Sequence, residues 1–396
     1  MSILRKQFLA HVGQTSPSPL MIEVARAEGP YFYTPQGERY FDLIAGVSVS
    51  NVGHSNPAVV EAVCRQAREY MHVMVYGETV ERPQVRYAAR LAELLPTPLD
   101  AVYFVNSGAE AVETALKLAR RATGRYETVA FLNAYHGSTQ GAMSVMGGRA
   151  HTQAYRPLVP GTRSIRFNGF DDLGHITRRT ACVLVEPVQG EAGVRLPAPG
   201  WLEALRERCD RTGALLVFDE IQTGMGRTGS LFALGRYGVV PDLVCAAKAF
   251  GGGMPLGGVI GSQELLSAFT CDPPLGHITT FGGHPVCCAA GLASLEYILE
   301  NDLCSRAESA GAMFADLLSG HPAVREIRRS GLLLAVELGD SRRLYRIMEL
   351  FAERGILSDW FLFCDTAFRI SPPQTDTNEQ VAEACGTILR CVDDLE

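Results

Sequence analysis

Lys248 closes the apolar run DLVCAAK, and Gly251, Gly252 and Gly253 follow close behind it. Lysine resists full burial unless something pairs with it or reacts with it. The chain holds only three lysines, Lys6, Lys117 and Lys248, against 33 arginines, so a primary amine has been kept here where arginine is otherwise the rule. A phosphate-binding P-loop needs GxxxxGK[ST], with the lysine after the glycines and opening a helix. Lys248 precedes its glycines and no Ser or Thr follows it, so that reading fails. What remains is a lysine at a poorly solvated strand end, where burial lowers the pKa and leaves a neutral amine able to form a Schiff base with an aldehyde. Lys6 lies near the chain end and Lys117 on the surface of an amphipathic helix, so both suit that chemistry less well.

Other polar residues stand where they could serve such an amine. Asn106-Ser107-Gly108-Ala109 joins the strand-like AVYFV to a helix, which offers free N–H groups and a hydroxyl to a phosphate. The same residues also read as an ordinary helix cap with a small-residue packing face. ALLVFDE ends in Asp219-Glu220, followed by Ile221-Gln222, and VEPVQGEAGV supplies Glu186 and Glu191. A carboxylate at a strand end is usually a cap, and gains meaning only if a buried cationic nitrogen needs it. NAYHGST places Tyr135, His136 and Ser138 after another strand, and a lone histidine there is more often structural than catalytic. Taken together, these are the requirements of pyridoxal phosphate: a lysine for its aldehyde, a carboxylate for its pyridinium nitrogen, a helix N-terminus for its phosphate.

The elements that must position these groups are legible as a pattern. TVAFLN, ACVLVEP, ALLVFDE, DLVCAAK and GGVIG are short apolar strands between helical or glycine-rich stretches, and the helix AEAVETALKLARRATG closes at Gly124. Such alternation predicts an α/β fold with a mostly parallel central sheet covered by helices on both faces. In that architecture ligands sit beyond the carboxyl ends of the strands. Two short strands are expected around Pro35-Gln36-Gly37, and helices over NPAVVEAVCRQAREYMHV and ERPQVRYAARLAELLP. A smaller α+β unit follows: a helix at 303–320, strands in VREIRRSGLLLAVELG, a helix near 341–354, the strand FRIS and a closing helix from about 377. The expected division is an N-terminal segment, 1–50, packing with the small domain, a large cofactor-binding domain, 51–295, and a small C-terminal domain, 296–396.

Bulk composition bounds the classes. With 396 residues, 47% of them hydrophobic and 20% charged, the chain matches ordinary globular proteins and is long enough for two packed domains. A net charge of −7 with scattered basic residues gives no nucleic-acid surface, and no apolar stretch reaches the ~20 residues that span a bilayer. The 11 cysteines are odd in number, contain no CxxC pair and lie mostly in apolar runs. Free buried thiols in a reducing cytoplasm are expected, with no thiol-ligated metal, and the N-terminal stretch reads as part of the mature protein.

Eight stretches in order carry a family resemblance across nearly the whole length: AEGPYFYTPQGERYFDLIAGVSVSNVGHSNP, NSGAEA, YHGS, EPVQGEAGV, FDEIQTGMGRTG, PDLVCAAKAFGGGMPLGG, TTFGGHPVCCAAG and FRISPP. The chain resembles the class III aminotransferases, pyridoxal-phosphate enzymes of fold type I that act largely on terminal amines. The resemblance implies that Lys248 forms the Schiff base and then moves the substrate proton, and that Asp219 pairs with the pyridinium nitrogen. It implies that Tyr135 and Ile221 sandwich the ring and Gln222 reaches its hydroxyl. Ser107, Gly108 and Ala109 would cradle the phosphate, with His136 and Glu186 among the cofactor-binding residues. Thr280 would reach the phosphate of a neighbouring subunit, which implies a homodimer. Arg369 would take a substrate carboxylate, with Glu191 as its partner when the substrate lacks one there. Ser138 stands where acetylornithine, ornithine and 4-aminobutyrate members usually carry an arginine, and Val47 where ornithine-specific enzymes usually carry a tyrosine. The implied activity is a ping-pong transfer from a terminal amine, acetylornithine-like or an ω-amino acid, to 2-oxoglutarate or pyruvate. An aminomutase, racemase or decarboxylase would use the same lysine and aspartate, and a non-catalytic ligand-binding protein could keep the fold.

Overall fold

The computed structural model describes residues 1–395. After an N-terminal helix, Ile3–His11, strands β1 (Arg26–Glu28), β2 (Tyr31–Tyr33) and β3 (Arg39–Asp42) form an antiparallel ribbon, the last two flanking the expected turn. The helix and β1 were not expected, because neither shows a clear apolar face: no residue of Ile3–His11 is buried and β1 is the three-residue RAE.

Seven strands make the large sheet: β4 (Ala101–Val105), β5 (Glu127–Phe131), β6 (Thr162–Ile165), β7 (Thr180–Val185), β8 (Leu215–Asp219), β9 (Leu243–Ala246) and β10 (Gly257–Gly261). Their order is β4-β10-β9-β8-β7-β5-β6. β10 alone runs opposite to the other six strands, so six carboxyl ends open on one edge. The edge strand β6, TRSI, escaped the sequence reading because it is mostly polar and only Ile165 is buried. Strand periodicity explains why the others read as continuous apolar runs. Along β7, Val183 and Val185 enter the core on one face while Cys182 and Leu184 enter the core on the other. β9 repeats this, with Val244 and Ala246 opposite Leu243 and Cys245.

The helix Gly108–Thr123 covers one face, and Trp201–Thr212 with Pro285–Glu300 cover the other. Gly108–Thr123 starts where the Ser107 hydroxyl accepts from the Glu110 N–H at 3.2 Å and stops at Gly124, whose φ of +67° is the left-handed cap glycine tolerates. β10 lies hard against this start. A Cβ on Gly257 would sit 2.4 Å from the Ser107 carbonyl oxygen, so the strand beside the helix terminus must carry glycine there.

The chain then builds β11 (Glu326–Ser330), β12 (Leu333–Glu337), β13 (Ile356–Leu357), β14 (Trp360–Phe361) and β15 (Cys364–Ile370). The antiparallel order is β11-β12-β15-β14, while β13 joins β3 in parallel. β13 and β14, at two residues each, are too short to show a period. Helices Leu303–Leu318, Ser341–Glu353 and Asn378–Asp393 complete a second core, in which Phe314, Leu334, Phe368 and Ile388 pack with Tyr31, Phe41 and Leu43 from the N-terminal segment. Among the described residues no helix is long and apolar enough to cross a membrane.

Candidate active site

One cavity of about 600 Å³ lies at the carboxyl edge of the large sheet, and most of the residues singled out above line it: Ser107, Gly108, Ala109, Tyr135, His136, Ser138, Glu186, Glu191, Asp219, Ile221, Gln222 and Lys248.

Lys248 is not in the strand. β9 ends at Ala246, and Lys248 opens a short 3₁₀ turn, Lys248–Gly251, with φ +54°. Left-handed backbone is uncommon for a residue with a Cβ and persists only where the surroundings impose it. Here the turn is pinned by Phe250, whose carbonyl accepts from the Tyr87 hydroxyl at 2.7 Å, and by Gly252, where a Cβ would meet the Ala290 carbonyl at 2.5 Å. Burial lowers the Lys248 pKa; Glu191, Asp219 and Glu186 pull against that and Arg369 adds to it. The amine is thus nearer neutrality than a surface lysine, as a nucleophile requires.

Asp219, the last residue of β8, accepts from the Ile221 N–H at 3.1 Å through Oδ1 and meets His136 Nδ1 at 2.7 Å through Oδ2. The histidine is fully enclosed, and its Nε2 has no partner. Glu186 accepts from the Tyr135 N–H at 3.0 Å and the Gly190 N–H at 2.9 Å; burial pushes its carboxyl up to about 7. A Cβ on Gly190 would lie 2.0 Å from Gln222 Oε1, so glycine there lets the amide reach over the cavity floor. Gln222 Nε2 is buried and also unpartnered.

Pyridoxal phosphate fits this set. The helix start at Ser107–Ala109 opens into the cavity, and its walls leave no room for side chains: a Cβ on Gly108 would come within 2.9 Å of Ile221, and one on Gly137, at φ +125°, within 2.7 Å of Ala109. The lysine, the carboxylate and the orphaned Gln222 amide complete the requirements.

Arg369 is 1% exposed and does not itself line the cavity. Its Nη2 donates to Glu191 Oε1 at 2.7 Å, and Glu191, which does line it, also accepts from the Leu362 N–H at 3.1 Å. Burial would raise the Glu191 carboxyl, but Arg369 and Lys248 hold it below the usual range. Asp359, which the sequence reading missed, sits 3.0 Å from Arg369 Nε. Its side chain is 30% exposed, yet its crowded surroundings push its carboxyl up to about 6 against the pull of Arg369.

Two residues lie elsewhere. Thr280 is exposed and outside this cavity, although its neighbour Thr279 accepts from Asn106 Nδ2 at 2.7 Å beside the helix start. Val47 does not line the wall; Val49 does. Val47 belongs to a run of four left-handed residues, Ala45 to Ser48, with φ of +48°, +59°, +64° and +60°; the N–H groups of Ile44, just before it, and Gly46, within it, donate to Asp42. Sequence reasoning also missed Arg227. Buried on the loop after β8, it donates to the carbonyls of Leu332 at 3.0 Å and Pro372 at 2.6 Å and to Asn51 Oδ1, tying the large sheet's loop to the second core.

Comparison with known proteins agrees with this geometry. Residues 12–392 match the family described as aminotransferase class-III. The acetylornithine aminotransferase of Methanopyrus kandleri is 43% identical over 326 residues, 81% of this chain and 82% of that protein. Among solved structures, the ornithine aminotransferase of Toxoplasma gondii, with partial occupancy of PLP at its active site, superposes with a TM-score of 0.90 at 31% identity, covering 99% of this chain and 94% of that one. An (S)-enantioselective omega-transaminase from Thermomicrobium roseum gives a TM-score of 0.90 at 29% identity over 98% and 97% of the two chains. The α/β architecture is that of fold type I, the cofactor is pyridoxal phosphate, and the protein is an amino-group-transferring enzyme. Matched along almost its entire length, the chain belongs to the class III aminotransferases.

Proposed function

We propose that the enzyme takes the amino group of a terminal amine, acetylornithine-like or an ω-amino acid, and delivers it to a 2-oxo acid in two half-reactions at one site. The observation that supports this most is the closed pair of Arg369 and Glu191 at 2.7 Å beside the cavity. A guanidinium masked by a cavity-lining carboxylate suits a donor with no carboxylate at that end. Unmasked, the same guanidinium offers a charge-assisted contact to a 2-oxo acid.

The chain's own groups divide the remaining work. Bound pyridoxal phosphate would supply the electron sink that makes the C–H on the amine-bearing carbon acidic. Lys248 Nζ takes and returns that proton, aided by the burial that lowers its pKa. Asp219, oriented by His136 and the Ile221 N–H, would hold the ring nitrogen in its charged form. Tyr135 and Ile221 would flank the ring, and Ser107, Gly108 and Ala109 would receive the phosphate.

Ser138, which meets the Tyr135 hydroxyl at 3.2 Å, brings no positive charge to the wall. An acceptor with two carboxylates, 2-oxoglutarate, then needs another arginine for its second one, whereas pyruvate needs none. We also assign the chain to a homodimer in which Thr280 serves the partner's site. Exposed Leu275, Ile278 and Phe281 around it form apolar surface that a second copy would cover.

A single-turnover donor panel tests the reading. Loaded enzyme is mixed, without acceptor, with N-acetylornithine, ornithine, 4-aminobutyrate, β-alanine, lysine, an aryl amine, glutamate and alanine, and the loss of the cofactor's visible band is followed. Fast bleaching by one terminal amine and by glutamate supports 2-oxoglutarate; bleaching by alanine and not glutamate supports pyruvate. No bleaching with any donor refutes the proposal.

A further inference from the structure

The Arg369 guanidinium has three sides, and they are treated differently. Nη2 donates to Glu191 at 2.7 Å. Nε lies 3.0 Å from Asp359 Oδ1, an ion pair without the angle of a directed hydrogen bond. Nη1 has no partner at all, although the residue is 1% exposed. One planar face stacks on Phe361, with the guanidinium carbon 4.7 Å from the ring centre.

The two carboxylates are mounted in opposite ways. Glu191 lines the cavity, and Gly190 and Gly193, the latter at φ +85°, bracket it in its loop. The Glu191 carbonyl accepts from the Phe363 N–H at 3.0 Å, so its backbone is held while its side chain borders the open cavity. Asp359 does not line the cavity, and its backbone is locked to the arginine itself: the Arg369 N–H donates to the Asp359 carbonyl at 2.9 Å, and the Ser358 hydroxyl donates to the Arg369 carbonyl at 2.7 Å.

We propose that Asp359 is a positioning residue, the fixed anchor that keeps the Arg369 guanidinium aimed at the cavity when Glu191 gives way to a substrate carboxylate. The inference rests on the reading of Arg369 as the carboxylate receiver. A buried guanidinium that lost its only anionic partner would follow that partner or collapse onto other acceptors. With Asp359 against Nε, the two Nη atoms stay presented, one vacated by Glu191 and one already free. The charge of Asp359 acts alike on Glu191 and on the carboxylate that replaces it, so it nearly cancels in the exchange. What Asp359 contributes is orientation, and an uncharged oxygen in the same place serves almost as well.

The test is equilibrium binding of glutarate to the loaded enzyme by calorimetry, because glutarate has carboxylates and neither an amino nor an oxo group to react. The two half-reactions are measured alongside, and thermal melting checks folding. Asp359→Ala weakens glutarate binding and 2-oxo acid use by roughly tenfold, while the terminal-amine half-reaction falls by much less, about twofold. Asp359→Asn restores binding to within about twofold of the native protein, because its amide oxygen can face Nε. Should Asp359→Ala fail to fold, Asp359→Ser, polar and too short to reach Nε, takes its place. Unchanged glutarate binding in the shortened variant overturns the proposal, as does equal damage to both half-reactions or an Asp359→Asn variant as weak as Asp359→Ala. Arg369→Ala separates the layers: if it leaves glutarate binding intact, the reading of Arg369 itself has failed.

Discussion

The two ends of the cavity are built on different principles. At the cofactor end the side chains sit at strand ends of one sheet, in the turns that follow them or at a helix start, and glycines clear the walls by steric necessity, as at Gly108, Gly137, Gly190 and Gly257. At the carboxylate end, Arg369, Glu191 and Asp359 arrive from loops and a strand of separate packing units and meet through ion pairs. On the proposed reading the first end repeats one chemistry, whereas the second would receive two substrates in turn, with Glu191 giving way to one of them.

Removing the cofactor end's amine sharpens this contrast most. Lys248→Ala should slow both half-reactions equally, by about a thousandfold or more, the range of a lost general base with its nucleophile. Single-turnover rates for a terminal amine and a 2-oxo acid check this; an effect on only one would break the division.

The join between the units comes next. Burial lowers the Arg227 pKa to about 9, against the pull of Asp376 and Asp42, so the charge is held at a cost its partners offset. Arg227→Ala leaves the carbonyls of Leu332 and Pro372 and the Asn51 side chain without their buried donor, and should cost about 3 kcal/mol in denaturant unfolding.

A smaller effect is expected at the carboxylate end. Glu191→Gln leaves Arg369 incompletely masked, so the terminal-amine half-reaction should slow about tenfold while 2-oxo acid binding tightens. Parallel shifts in both would show that Glu191 is merely structural.

The smallest effect lies behind the cofactor. Glu220 is buried beneath β8's end, accepts from Thr223 Oγ1 at 2.6 Å and the N–H groups of Ala233 and Leu234 at 2.7 Å each, and is raised by burial to about 7. Its folded pKa exceeds its unfolded one, so the folded state holds more protons between them. That contribution to stability is complete below about pH 4.5 and is lost as pH rises through about 7. Glu186, raised for the same reason, acts in the same direction. Glu220→Gln should therefore flatten the fall in melting temperature between pH 5 and pH 8, an interval set by those pKa values. An unchanged slope would place the titration elsewhere.

The same contrast governs what could be read from sequence. NSGA, YHGS, FDEIQ and the stretch around Lys248 are contiguous, each a strand end with its turn, so residue type and neighbours already pointed to a lysine, a carboxylate and a helix start, which the fold brings to one cavity. The left-handed φ of Lys248 was hidden, because only packing by Tyr87 and Ala290 imposes it. Asp359 and Arg227 were hidden for a stronger reason: in ILSDWF and GMGRTG nothing local shows that the one faces Arg369 and the other the carbonyls of Leu332 and Pro372. Val47 and Val49 illustrate the limit most finely. A strand or ordinary helix would have put both on the same or predictable faces, and four consecutive positive φ values decide otherwise.

The most direct test of the central claim is stoichiometry. Loaded enzyme is given its fastest terminal-amine donor without acceptor, and the carbonyl product is counted. Amino transfer in two half-reactions predicts one product molecule per site, then arrest, then resumption when a 2-oxo acid is added. Continuous turnover without acceptor, or consumption of donor with no carbonyl product, would contradict it.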